Sequence, residues 1–187
     1  MSAAAIPRLS VEDYLAIDRA AELKSEYHDG EMFPMVAVSG AHAQIGFRLA
    51  RQLGNALEDG PCAGYMAPLR VRVSARKYVY SDLLVICGKA VYTDDHTDTV
   101  TNPKVIIEIL SPSTANYDYG EKFAAYRGLE SLGEYVLVAQ DRPLIEIFRR
   151  TPDNKWLLSS FEGLDSTAEL TSLGIELRLA DVYAGVL

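Results

Sequence analysis

The chain predicts an α/β fold of the α+β kind, with a central mixed β-sheet flanked by helices and further antiparallel strands toward its C-terminal end. Three observations carry this expectation. Helical and strand patterns succeed one another as helix, hairpin, long helix, several strands, helix, strands, which is how a mixed sheet with helices against it is written in sequence. Residues 1–187 show no repeat, low-complexity stretch or linker rich in Pro, Gly or Ser, so one domain is expected over the whole length. At 49% hydrophobic and 24% charged, the chain has the apolar content to fill one core.

The elements follow in order. SVEDYLAI, residues 10–17, opens with a Ser cap and acidic first-turn residues, the signature of a short helix. EYHDGEMFPMVAV places a turn at Asp29 and Gly30 before an apolar strand, half of a hairpin. Behind Ser39 as a cap, Ile45, Leu49, Leu53 and Leu57 recur at helical spacing and mark the longest helix, which Asp59 and Gly60 end. Strands are then expected at Gly64 to Met66, Leu69 to Val73, Tyr78 to Cys87 and Lys104 to Leu110. SPST breaks the pattern, and Phe123, Tyr126 and Leu129 share a face of a helix from about Tyr117 to Leu129. EYVLVAQ, PLIEIFRR and KWLLSSF read as three late strands, with turns at Asp141 to Pro143 and Pro152 to Asn154.

No apolar run reaches the roughly 20 residues that span a bilayer, and MSAAAIPRLSVEDY lacks a basic n-region and a hydrophobic h-region. A cytoplasmic protein without membrane contact is the expectation. Cys62 and Cys87 lie far apart and form no CxxC or Cys/His pattern, so two buried thiols are expected, with neither a disulfide framework nor a zinc site. The net charge of −8 opposes non-specific nucleic-acid binding, which rests on Lys and Arg neutralising phosphates. A DNA-binding surface would have to be local, and Arg70, Arg72, Arg76 and Lys77 are its candidates.

Chemistry concentrates between Asp82 and Lys122. Asp82 in VYSDLLVI and Glu108 in NPKVIIEILSPST each interrupt a run that otherwise reads as buried strand, and a charge there is costly unless compensated. Two carboxylates on neighbouring strands repel. A divalent cation between them turns the repulsion into attraction, and hard oxygen ligands suit Mg²⁺ or Mn²⁺.

The segments EYHDGEM, SGAHAQIG, YSDLLVICG, NPKVIIEILSPST and DYGEKFAAYRGLESLGEYVLV together resemble the Uma-two family, a domain of unknown function assigned to the restriction-endonuclease-like PD-(D/E)xK superfamily. The resemblance runs from about Ser10 to Tyr183 and is most specific from Asn102 to Val138. It implies a restriction-endonuclease-like core, divalent-metal binding and endonuclease activity. By this resemblance Asp82 matches the aspartate of the PD element and Glu108 the (D/E) of the second. Ser81 replaces the usual proline, and Leu110 stands where ExK has its lysine. The lysine is taken to have moved to the following helix as Lys122, since the chemistry needs an ammonium at a place in space.

The implied mechanism is phosphodiester hydrolysis by a metal-activated water, with Asp82, Glu108 and the backbone carbonyl of Ile109 holding one Mg²⁺ and Lys122 acting on the water or the phosphorus. Glu26 matches an acidic family position and is a candidate further ligand. His42 falls at the first turn of the long helix, with phosphate binding or proton transfer as its role. Ser111 is expected to close the turn after the Glu108 strand with Thr114. Asp118 would cap the helix that carries Lys122 or pair with that lysine, and Tyr126 would pack. An idle fold serving as an interaction module and a hydrolase of small phosphoesters are the competing readings. An exposed edge among the late strands would need covering, by another element or in a homodimer.

Overall fold

A computed structural model describes residues 8–66 and 68–187. The first seven residues of the N-terminal stretch read for a targeting signal lie outside the described residues. Helix α1 (Val11–Ala20) starts where Ser10 Oγ accepts the Asp13 N–H at 3.1 Å. It is followed by a hairpin of β1 (Ser25–His28) and β2 (Glu31–Pro34). Asp29 and Gly30 turn it at φ 49° and 99°, the pair of left-handed conformations that an Asp-Gly turn supplies. Helix α2 (Gly40–Leu57) is capped by Ser39, whose Oγ accepts the His42 N–H at 3.1 Å. Its buried stripe is Ile45, Leu49, Leu53 and Leu57, as the spacing predicts.

Strands β3 (Cys62–Met66), β4 (Arg70–Ser74), β5 (Lys77–Tyr80), β6 (Leu83–Cys87), β7 (Thr99–Val100) and β8 (Val105–Leu110) come next. A short helix α3 (Ala115–Tyr117), a π-helical turn (Asp118–Lys122) and α4 (Phe123–Tyr126) then form one continuous helical segment. The chain closes with β9 (Glu134–Ala139), β10 (Leu144–Arg150), β11 (Trp156–Glu162), β12 (Thr167–Leu170), β13 (Ile175–Arg178) and α5 (Leu179–Val182).

Two sheets result. The larger has the order β11-β10-β9-β8-β6-β3 and is mixed, because β8 and β9 run parallel while its other neighbours are antiparallel. The smaller has the order β2-β1-β5-β4-β7, and β12 with β13 forms a separate hairpin. Alternation along β8 divides the interior. Val105, Ile107 and Ile109 pack with the α2 stripe and α5, whereas Ile106 and Leu110 pack with Phe123, Tyr126 and Leu129 on the opposite face. Helices on both faces explain why all six residues of β8 are buried. Among the described residues no helix is long and apolar enough to cross a membrane.

Three expectations change. The run from Tyr78 to Cys87 is two strands in different sheets, separated at Ser81 and Asp82. Its apolar character continues across the break because both sheets bury their strands there. Cys62 and Cys87 are joined as a disulfide and are only partly buried. They are direct partners in the β3–β6 ladder, so antiparallel register brings together residues 25 positions apart. Arg70, taken for a DNA contact, is 2% exposed, bonding Asp18 Oδ2 at 2.7 Å and Thr99 Oγ1 at 2.7 Å. It is a buried counter-ion and cannot reach a phosphate.

Candidate active site

The β6–β8 ladder ends with Leu83 opposite Ile107. One step past the end of that ladder Asp82 lies beside Glu108, and both line the same cavity. The break at Ser81 and Asp82 leaves the Asp82 side chain free to bond sideways. Its Oδ2 accepts the Ile109 N–H at 2.7 Å, and its Oδ1 lies 2.9 Å from His42 Nε2. A carboxylate only accepts, so Nε2 is the protonated nitrogen of that ring. The Ser39 cap fixes where His42 leaves the helix, and its Nδ1 is buried without a partner among the described residues.

Lys122 closes the other side. Its Nζ lies 3.0 Å from Glu108 Oε1, 3.5 Å from Glu26 Oε1 and 3.6 Å from Asp118 Oδ1, with 8% of the side chain exposed. The π-helical turn widens the helix at this point, a device common where a helix must aim a functional side chain. Tyr126, expected only to pack, donates its hydroxyl to Glu108 Oε1 at 3.1 Å. Ser111 Oγ accepts the Thr114 N–H at 3.2 Å and closes the turn after β8.

Burial pushes the Glu108 carboxyl well above its ordinary range; Lys122 pulls it down, and the charges of Asp118 and Asp82 push it up again. Asp118 is likewise raised, first by burial. Burial disfavours the Lys122 ammonium, but Glu108, Glu26 and Asp118 together outweigh it and hold the group above its ordinary value. Glu26 differs. Burial raises it, yet Lys122 and hydrogen bonds from His28, Tyr117 and the Tyr80 N–H bring it down to about 2. Three carboxylates thus share one ammonium. Among the described residues no three His, Cys, Asp or Glu side chains form a ready-made cage for an ion. The hard oxygens of Asp82 and Glu108, with negative charge in excess, nevertheless suit a divalent cation.

These groups line a cavity of about 560 Å³. Its charged lining is Glu26, Asp82, Glu108, Asp118 and Glu121 against Lys122, so the cleft is acidic and lacks the basic wall a duplex-binding groove would show. Arg72 is exposed, Arg76 pairs with Asp29 at 2.8 Å, and Lys77 reaches the Glu121 carbonyl at 3.4 Å; of the four basic candidates none lines the cavity. Two site residues escaped the sequence reading. Tyr117 donates to Glu26 Oε2 at 2.8 Å and lies 2.9 Å from His28 Nε2. Glu26 and His28 are two apart on β1 and so share a face, which is the signal that would have found His28.

A mixed sheet with helices on both faces, carrying Glu108 on an inner strand and Asp82 just ahead of the neighbouring one, is a fold of the restriction-endonuclease-like class. The chain belongs to the Uma2 family, described as "Putative restriction endonuclease", whose model matches residues 11–180. Two uncharacterized proteins of Synechocystis sp., sll1609 and slr1290, are each 32% identical to it. The alignments cover 89% and 98% of this chain and 95% of each relative. A crystal structure from Anabaena variabilis, titled as "a putative nuclease belonging to DUF820", superposes with a TM-score of 0.79 at 16% identity, over 96% of this chain and 99% of that one. That likeness concerns the fold.

Proposed function

We propose that the protein is a metal-dependent nuclease that hydrolyses DNA phosphodiester bonds, with Asp82, Glu108 and Lys122 as its catalytic residues. The observation that carries this reading is the approach of Lys122 Nζ to within 3.0 Å of Glu108 in a cavity that Asp82 also lines. An ammonium desolvated among three carboxylates in a cleft is the kind of perturbed charge cluster that concentrates at functional sites. Family membership supports the same reading.

Asp82 and Glu108, with the Ile109 carbonyl, would hold Mg²⁺ or Mn²⁺. When bound, such an ion polarises a phosphoryl oxygen and lowers the pKa of its water. The chain does the rest. His42 and the Ile109 N–H fix the Asp82 carboxylate from two sides, so its orientation does not depend on the ion. Tyr126 does the same for Glu108. Lys122, restrained by Glu26 and Asp118, presents an ammonium that orients the attacking water and stabilises charge on phosphorus.

The test is cleavage of supercoiled, linear and single-stranded DNA with Mg²⁺ or Mn²⁺, beside Asp82→Ala and Lys122→Ala, with Mn²⁺ binding measured separately by calorimetry. Each substitution is expected to lower cleavage by roughly 100-fold or more, and Asp82→Ala to weaken Mn²⁺ binding. Cleavage that survives both substitutions would overturn the assignment.

A further inference from the structure

The acidic cleft has a second, apolar half. Phe33 on β2 is the ladder partner of Glu26 on β1, so its ring stands beside the carboxylate network. The segment after it, Pro34 to Val38, continues the cavity wall toward Ser39 and His42. These side chains face outward: Phe33 is 46% exposed, Val36 66% and Val38 57%. Next to Phe33, the His28 ring lies 5.1 Å away between centroids, and the Tyr117 ring stacks on His28 at 5.8 Å and 28°. Three rings therefore form a row that begins at the exposed Phe33 and ends at the tyrosine holding Glu26.

Two features of this row decide what it can receive. A duplex hides its base faces and presents phosphates, which need cations. The cleft offers one, Lys122, already engaged by three carboxylates. A single strand instead presents flat, neutral faces that stack on aromatic side chains without reference to sequence. Resting on the nuclease reading above, we propose that the Phe33–His28–Tyr117 row with the Pro34–Val38 wall binds an unpaired nucleobase, so that the phosphodiester offered to Asp82 and Glu108 belongs to single-stranded or locally melted DNA. Stacking supplies binding that needs no cation, which offsets part of the objection raised by the acidic net charge.

The test is fluorescence anisotropy of a short labelled single strand and of the same sequence as a blunt duplex, with Ca²⁺ as the divalent ion. Wild-type protein is compared with Phe33→Ala, Phe33→Leu and Phe33→Trp. Phe33 is half exposed, so the variants should fold, and matched melting curves establish that they do. The single strand should bind more tightly than the duplex. Phe33→Ala should weaken that binding roughly 5- to 150-fold, the range spanned by base–aromatic stacking. Phe33→Trp should retain the affinity, and Phe33→Leu should fall with the alanine variant. A duplex that binds as tightly as the single strand, no binding of the single strand, or a leucine variant equal to wild type would each overturn the inference. Failure of the nuclease reading looks different. Metal-dependent cutting of duplex DNA alone, lost in Asp82→Ala, would uphold that reading and sink this one. Ring-dependent strand binding without cutting of any DNA would do the reverse.

Discussion

Replacing Lys122 by methionine keeps an unbranched chain of similar volume and removes the ammonium that three carboxylates share. Glu108, Glu26 and Asp118 lie 3.0, 3.5 and 3.6 Å from Nζ, and the lysine side chain is 8% exposed, so water cannot replace it without opening the site. Breaking a buried pair by removing one partner costs about 3–5 kcal/mol. For a chain of this length that lowers the melting temperature by roughly 6–20 °C. The assay is thermal melting by circular dichroism at neutral pH, without divalent ions and then with Mn²⁺. A cation at 100-fold its dissociation constant adds about 2.7 kcal/mol. Lys122→Met should gain more from Mn²⁺ than wild type gains, because the ammonium that competes for Glu108 is gone. Melting within the roughly 2–4 °C equivalent to 1 kcal/mol of wild type would refute the electrostatic account. A Mn²⁺ shift no larger than that of wild type would refute the cation site.

Other outcomes follow from the same geometry. Arg70→Met should cost about 3–5 kcal/mol in urea unfolding because it strands Asp18, which is 0% exposed, whereas Arg72→Ala on the surface should stay within about 0.5 kcal/mol; equal effects would restore Arg70 to the surface. Reducing the Cys62–Cys87 bond opens a loop of 25 residues and should lower stability by roughly 3–4 kcal/mol, read as a shifted urea midpoint with reductant. Stability should also fall in acid. Glu26 is held at about 2 against an ordinary 4.5, and Asp98, bonded by Arg19, at about 2 against 3.8. Between those values the unfolded chain binds more protons, so their stabilisation is complete above pH 4.5 and is lost as pH falls toward 2. Glu108 and Asp118, raised instead, give the opposite slope only above their ordinary values. Urea midpoints from pH 6 to pH 2 check this, and Glu26→Gln should flatten the acid limb.

What could be read from the sequence was local. The α2 stripe, the Ser10 and Ser39 caps and the Asp29–Gly30 turn each depend on residues within a few positions of one another, and each appears as expected. Glu108 stood out because a charge in VIIEIL has no local excuse. The misses are non-local. Arg70 stands in the strand expected from Leu69 to Val73, and nothing near it announces Asp18, 52 residues earlier, as its partner. Cys62 and Cys87 meet only because β3 pairs with β6 in one register. A run buried in both sheets conceals the break at Ser81 and Asp82, the feature that frees Asp82 to bond His42 and Ile109.

That break also explains why the site lies where it does. Strand β5 ends in the smaller sheet and β6 begins in the larger one, so the chain leaves one sheet for the other at Asp82. Glu26 comes from the smaller sheet and Glu108 from the larger, and Lys122 touches both. The ammonium is therefore an electrostatic tie between two sheets as well as a candidate catalytic group. Activity lost in Lys122→Ala could then reflect a site pulled apart rather than chemistry removed. Asp82 separates the two cases. It is 24% exposed, bonds only His42 and Ile109 among the described residues, and links no sheet through Lys122. Asp82→Asn keeps the volume and one oxygen to accept the Ile109 N–H, and its amide can donate to His42 Nε2 once the ring proton moves to Nδ1, so the fold should persist while the charge beside Glu108 disappears. Activity that falls with Asp82→Asn at an unchanged melting temperature therefore isolates the Asp82 carboxylate, and activity that survives it would remove Asp82 from the catalytic set.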